Sequence, residues 1–204
     1  MTAVHLFMAW LDTALICFTV VIWVGRRYKL RSVQLVFAGL TSALVMGTPV
    51  QGLSLFMYVW SVIGDLSLTS KTYLIAWLLY SLGGPKVIDM GEVRKVLGAI
   101  AIIGLVFYPL SLGLTSFDPY TLGYSPTILI ILNVVLIAYA MRKGYFVLTV
   151  AMLLALWSYL LGLMESDNLF DYLLDPLLFL YAAGFSCVTL LRNLKANTTA
   201  GRRS

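Results

Sequence analysis

The stretch HLFMAWLDTALICFTVVIWVGRRYKLR, residues 5–31, decides the fold class. From His5 to Gly25 it is almost wholly apolar, and four basic residues, Arg26, Arg27, Lys29 and Arg31, follow at once. A helix of about 20 apolar residues spans a hydrocarbon core of about 30 Å. Basic residues gather on the cytoplasmic side of such spans, so this one is expected to run from outside to inside. A cleaved signal peptide carries its basic residues before the apolar run. Here they come after it, and the segment is expected to remain as an anchor.

The rest of the 204-residue chain repeats the pattern. It is 61% hydrophobic and 11% charged. Soluble domains carry roughly a quarter charged residues, and a soluble core of this size would not hide so much apolar surface. Further apolar segments lie at 33–63, 67–84, 96–115, 126–141, 145–164 and 176–191. The expected fold is all-α: a polytopic membrane helix bundle of seven transmembrane segments, N-terminus out and C-terminus in. Residues 1–192 would form a single bundle, and 193–204 a disordered basic cytoplasmic tail. The segment 33–63 is too long for one crossing and contains Gly47, Pro49 and Gly52. It reads as one kinked helix or as two pieces joined near Pro49, with residues 47–52 leaving the helix and covered by protein.

The charges support one orientation. Of the 14 basic residues, 13 fall in four clusters on one side: Arg26–Arg31, Lys86 with Arg94 and Lys95, Arg142 with Lys143, and Arg192 to Arg203. Only Lys71 falls on the other side. The net charge of +5 therefore marks cytoplasmic loops, not a nucleic-acid surface. Two cysteines, Cys17 and Cys187, lie in apolar runs, and His5 is the single histidine. These exclude a disulfide framework and multi-histidine metal chemistry. The last segment has no lysine, which argues against a retinal Schiff base.

Seven acids lie on or near the outer side: Asp12, Asp65, Asp118, Glu165, Asp167, Asp171 and Asp175. They form the candidate polar site. Asp167 and Asp171 are four apart and would share a helix face. Converging carboxylates suit Ca²⁺ or Mg²⁺, or acid–base work. The plainer reading is loop solvation and helix capping: Asp65 or Ser67 for the third segment, Asp175 before Pro176 for the last. Asn168 to Leu174 reads as a short interfacial helix. Gly104, Gly113, Gly162 and Gly184 read as close-packing positions, and Asn133 as an interhelical hydrogen-bonding residue. Asp12 lies roughly 9 Å below the outer boundary. It is expected to face the bundle, either hydrogen-bonded to a Ser, Thr or Tyr hydroxyl or serving function.

Four strings, Gly52-Leu53-Ser54-Leu55, Gly64-Asp65-Leu66-Ser67, Phe117-Asp118-Pro119-Tyr120 and Asn168-Leu169-Phe170-Asp171-Tyr172-Leu173-Leu174-Asp175-Pro176, carry a resemblance. Over roughly residues 50–185 the chain resembles a group of uncharacterised proteobacterial multi-pass inner-membrane proteins. The resemblance implies a bacterial inner membrane and no particular chemistry. The expected function is a non-enzymatic multi-pass inner-membrane protein, either a small transporter or an accessory subunit of an envelope assembly. It would have the lipid bilayer and a membrane protein as partners and need no cofactor. The alternative is a membrane-embedded enzyme using the outer carboxylates, with a divalent cation, on a lipid-linked substrate.

The topology is testable. Reporter fusions after Arg31, Lys95, Lys143 and Ser204 should report cytoplasm, and fusions after Ser70, Tyr120 and Asn168 the outside. One clear reversal in a stably inserted fusion breaks the seven-segment reading.

Overall fold

A computed structural model describes residues 3–201. In chain order the elements are α1 (Ala3–Arg27), α2 (Ser32–Met46), a hairpin of β1 (Pro49–Val50) and β2 (Leu53–Ser54), α3 (Leu55–Ile63), α4 (Leu68–Ser81), α5 (Met90–Pro109), α6 (Thr127–Lys143), α7 (Phe146–Leu160), α8 (Leu169–Leu173) and α9 (Pro176–Gly201). A π-helical turn, Leu110–Leu114, extends α5, and a 3₁₀ turn covers Pro119–Gly123. Ala3–Arg27, Met90–Leu114 and Pro176–Lys195 are long and apolar enough to cross a membrane, and Ser32–Met46 and Phe146–Leu160 are shorter apolar helices. Large apolar side chains stay exposed along these helices, as on Phe37, Ile102 and Leu180. In water such faces would drive aggregation, whereas lipid accepts them. The chain is a helical membrane protein.

Two compact units emerge from the packing: Met1–Ile88 with Leu122–Asp175, and Asp89–Thr121 with Pro176–Ser204. In the first, α1 and α2 form an antiparallel hairpin with very close backbones. A Cβ on Gly39 would lie 1.7 Å from the Phe18 ring, and one on Gly25 would lie 2.3 Å from Leu35 Cδ2. Ile22, Leu35 and Leu78 bury together and join α4 to this pair. Gly144, with φ of 69°, ends α6 in the left-handed region and turns the chain into α7. Leu68, Leu129, Ala155, Met164, Leu169 and Tyr172 close a second cluster across α4, α6, α7 and α8.

The long apolar stretch 33–63 is broken where its glycines and proline stand. Residues Gln51 and Gly52 have φ of 50° and 89°, and they turn a hairpin that pairs Pro49 with Ser54 and Val50 with Leu53. Leu55 N–H donates to Thr48 O at 3.0 Å. The expected protein cover is absent, because Gly47 to Leu53 are exposed. The hairpin pairs part of its backbone within itself. Gly47 lies beside Trp10, and Leu66 bonds to Asp12, so the excursion leaves and rejoins α1 at nearly the same level. Nine-residue α3 is about 14 Å long and cannot cross a bilayer. Within 33–63 the longest helix is α2, 15 apolar residues, shorter than the three helices long enough to cross a membrane.

In the second unit, α5 packs on α9 through a glycine–aromatic contact. A Cβ on Gly104 would lie 2.1 Å from the Phe179 ring, which sits 4.9 Å from that of Tyr108. The other three expected packing glycines do different things. Gly113 and Gly162 adopt φ of 85° and 60° at helix ends, and Gly184 meets nothing within 4 Å. Asp89 caps α5 by accepting from the amides of Gly91 and Glu92. α9 continues as helix to Gly201, so the tail expected from residue 193 begins inside it.

The α1–α2 contact yields a test. Gly39→Leu should lower stability by about 1–3 kcal/mol through overpacking against Phe18. Adding Phe18→Ala should recover part of that loss in thermal unfolding in detergent. Equal stability of Gly39→Leu and wild type would show that these helices do not pack as described.

Candidate functional site

The site is built around the loop Gly64-Asp65-Leu66-Ser67 and the α4 N-terminus that follows it. The first amides of a helix lack partners within the helix. Ser67 supplies one as the N-cap: its Oγ accepts from Ser70 N–H at 3.1 Å. Ser67 N–H (3.0 Å), Ser67 Oγ (2.7 Å) and Ser70 Oγ all donate to Oδ2 of buried Asp175. A carboxylate beside a helix N-terminus also gains from the helix dipole. Thr69 Oγ1 donates to Leu173 O at 2.7 Å and ties α4 to α8. The expectation that Ser67 caps this helix holds.

One residue earlier, Leu66 N–H donates to Asp12 Oδ2 at 3.0 Å. Consecutive amide nitrogens lie less than about 4 Å apart, so the Asp12 and Asp175 carboxylates sit within about 10 Å of each other. Asp12 is 1% exposed and faces the bundle, as expected. Its partner is not a hydroxyl. Lys71 Nζ lies 3.0 Å from Asp12 Oδ1, and Lys71 is 4% exposed. The two form a buried ion pair at hydrogen-bonding distance, and neither atom has a further partner among the described residues. Desolvating two charges is expensive, and attraction offsets it only where hydrogen bonds fill the remaining valences.

The other acids are distributed differently. Asp65 accepts from Trp60 Nε1 at 2.7 Å. Asp171 accepts from Ser166 Oγ in a short hydrogen bond. Glu165 and Asp167 are exposed. Asp118 belongs to the second unit, where its Oδ1 accepts from Tyr120 N–H at 2.9 Å. Asp167 and Asp171 do not share a helix face: Asn168 caps α8 by accepting from Phe170 N–H, which leaves Asp167 outside the helix. Of the apolar residues of α8, Phe170 and Leu173 are half-buried. Leu169 and Tyr172 are buried in the core. The Tyr172 hydroxyl donates to Ser166 O at 3.1 Å and accepts from Met164 N–H at 3.2 Å. Burial pushes the Tyr172 phenol above its ordinary value against the Met164 bond, and the Asp167 and Asp65 charges push it the same way.

Two residues depart from their sequence readings. Lys71 stands out in the sequence only as the basic residue on the wrong side. Together with an aspartate six residues into another apolar segment, that was the available signal for a buried pair. Asn133 is buried on α6, yet neither side-chain polar atom has a hydrogen-bond partner among the described residues. The expected interhelical bond is not made. Nor do three or more His, Cys, Asp or Glu side chains form a metal-holding group among the described residues. Comparison with known protein families, with curated proteins and with solved structures finds no match for this chain.

The two buried carboxylates should respond differently to mutation. Lys71→Met leaves Asp12 charged and unpaired, and should cost about 3–5 kcal/mol. Combining it with Asp12→Leu removes both charges and should restore wild-type stability or exceed it. Asp175→Ala strands three donors, and no single apolar replacement nearby should rescue it. Thermal unfolding of the four proteins in one detergent checks the pattern. A double variant as unstable as Lys71→Met would contradict it.

Proposed function

We propose that the protein is a non-enzymatic multi-pass inner-membrane protein and, of the two roles this class allows, a small transporter. In this reading α1, α2, α4, α5, α6, α7 and α9 supply seven crossings, with the N-terminus outside and the C-terminus in the cytoplasm. The division of basic residues supports that orientation, and the resemblance to proteobacterial inner-membrane proteins supports the location. The observation that carries the transporter reading is the buried Asp12–Lys71 ion pair, 3.0 Å between Nζ and Oδ1. Ionisable residues inside a membrane bundle are expensive, and they commonly mark pathways for ions or substrates.

The accessory-subunit reading draws on the remaining acids. Asp65, Asp171 and Asp175 engage Trp60, Ser166 and the Ser67–Ser70 cap, which ties the protein's own segments together. The enzyme alternative needs carboxylates that converge with free oxygens around a substrate or divalent cation, and these internal bonds weigh against it.

Reconstitution separates the readings. Purified full-length protein in proteoliposomes should carry a solute-dependent current or pH change with at least one of Na⁺, K⁺, chloride, phosphate or acetate. The Asp12→Leu/Lys71→Met double variant should insert and fold but carry none. Silence of the wild type towards all five solutes, with a membrane protein co-purifying at fixed stoichiometry, would replace transport by the accessory role.

A further inference from the structure

We infer that a groove along α9 binds an anionic phospholipid, with an acyl chain lying in the groove and the phosphate on Arg192. The inference needs only that α9 lies in a bilayer, and it does not rest on the transporter reading. The groove runs from Leu180 to Arg192 and has a volume of about 420 Å³, within the range of cavities that hold small ligands. It faces away from the contact of Phe179 with Gly104 that packs α9 on α5. Gly184 leaves it open, since a Cβ there would meet nothing within 4 Å. The rings of Tyr181 and Phe185 stack beside that gap, their centroids 6.3 Å apart.

The polar groups of the groove gather at one end. Thr189 Oγ1 donates to Phe185 O at 2.8 Å, so its hydroxyl is satisfied within the helix. Leu180, Phe185 and Val188 present hydrocarbon. Arg192 closes the groove, exposed and without an ion pair among the described residues. Lys195 follows one turn later, and α9 carries no Asp or Glu. An apolar trough with a guanidinium at its mouth complements a molecule with a hydrocarbon tail and an anionic head. Arginine suits a phosphate, because its planar fork donates two parallel hydrogen bonds.

Length and charge select a lipid over a protein. Twelve steps from Leu180 to Arg192 rise about 18 Å at about 1.5 Å per residue. One leaflet accounts for half of a hydrocarbon core of about 30 Å. The groove therefore matches the depth of one acyl chain below its headgroup, whereas a partner's transmembrane helix would need a face along the full crossing. A second copy in the same membrane has the same orientation. A symmetric dimer through this face would set two Arg192 side chains at one level, where like charges repel.

The test uses full-length protein in detergent, titrated with dioleoyl phosphatidylglycerol or dioleoyl phosphatidylcholine. These share acyl chains and differ in net charge. Binding is read as the rise in unfolding temperature and as lipid retained per chain in native mass spectrometry. Wild type should bind phosphatidylglycerol about tenfold tighter or more than phosphatidylcholine, as a charge-assisted contact implies. Arg192→Gln should abolish that preference and remove one retained phosphatidylglycerol per chain. Gly184→Leu fills the gap and should remove the same lipid. Without lipid it should unfold no lower than wild type, because the space is open and leucine favours helix over glycine. Phosphatidylglycerol retention unchanged in both variants overturns the proposal. Displacement of the lipid by an equal concentration of inorganic phosphate overturns it too, since Arg192 would then serve free phosphate. So does a dimer that Gly184→Leu abolishes while no lipid is retained by wild type, which would give this face to a second copy of the chain.

Discussion

The constraint on which this structure turns is the accounting of polar groups at the start of α4. Irregular backbone in a membrane protein survives only where something satisfies its amides and carbonyls. The Gly64–Ser67 loop is irregular and half buried, and two successive amides inside it are met by carboxylates from distant parts of the chain. Asp12 takes Leu66 N–H and Asp175 takes Ser67 N–H. One comes from the middle of the first helix and the other from just before the last. Cluster packing of Leu68, Leu169 and Tyr172 then has a fixed frame to close upon.

Sequence reasoning reached the parts of this governed by local rules. Apolar run length located the helices, with α1, α4, α6 and α7 within a few residues of the expected bounds and α5 and α9 off by six and ten at one end. Gly47, Pro49 and Gly52 signalled the break in 33–63, and Ser67 signalled a helix start. What it missed depends on which helices become neighbours. Lys71 looked like an exception to a charge rule, and its pairing with Asp12 required α1 and α4 to be adjacent. The expected i, i+4 pair of Asp167 and Asp171 failed by one local choice: Asn168 caps α8, and the helix begins too late to include Asp167. Glycine was read as a packing residue in general. The structure assigns that role to Gly25, Gly39, Gly104 and Gly123, and leaves Gly113 and Gly162 to chain reversal.

The acids that looked equivalent in the sequence sort by their partners. Asp175 meets amide and hydroxyl donors beside a helix N-terminus, a setting that favours the charged carboxylate and fixes geometry. Asp65 holds the Trp60 indole and Asp171 the Ser166 hydroxyl. Asp12 faces another formal charge, the Lys71 ammonium. Removing one member of such a pair is far more damaging than removing both, so the pair does little for stability that an apolar pair would not do. A feature that is costly to bury and replaceable for stability points to a role outside stability. The satisfied carboxylates carry no such implication.

The identity of the cation at position 71 sharpens that argument. Arginine would offer a carboxylate two parallel N–H donors and would stay charged under any ordinary condition. It is the better residue for a permanent buried ion pair. Lysine presents a compact ammonium on a flexible chain. At Lys71 the ammonium meets a single oxygen of Asp12 at 3.0 Å, so the two-donor geometry that arginine would bring is not used. A site selected for rigidity alone would favour the guanidinium.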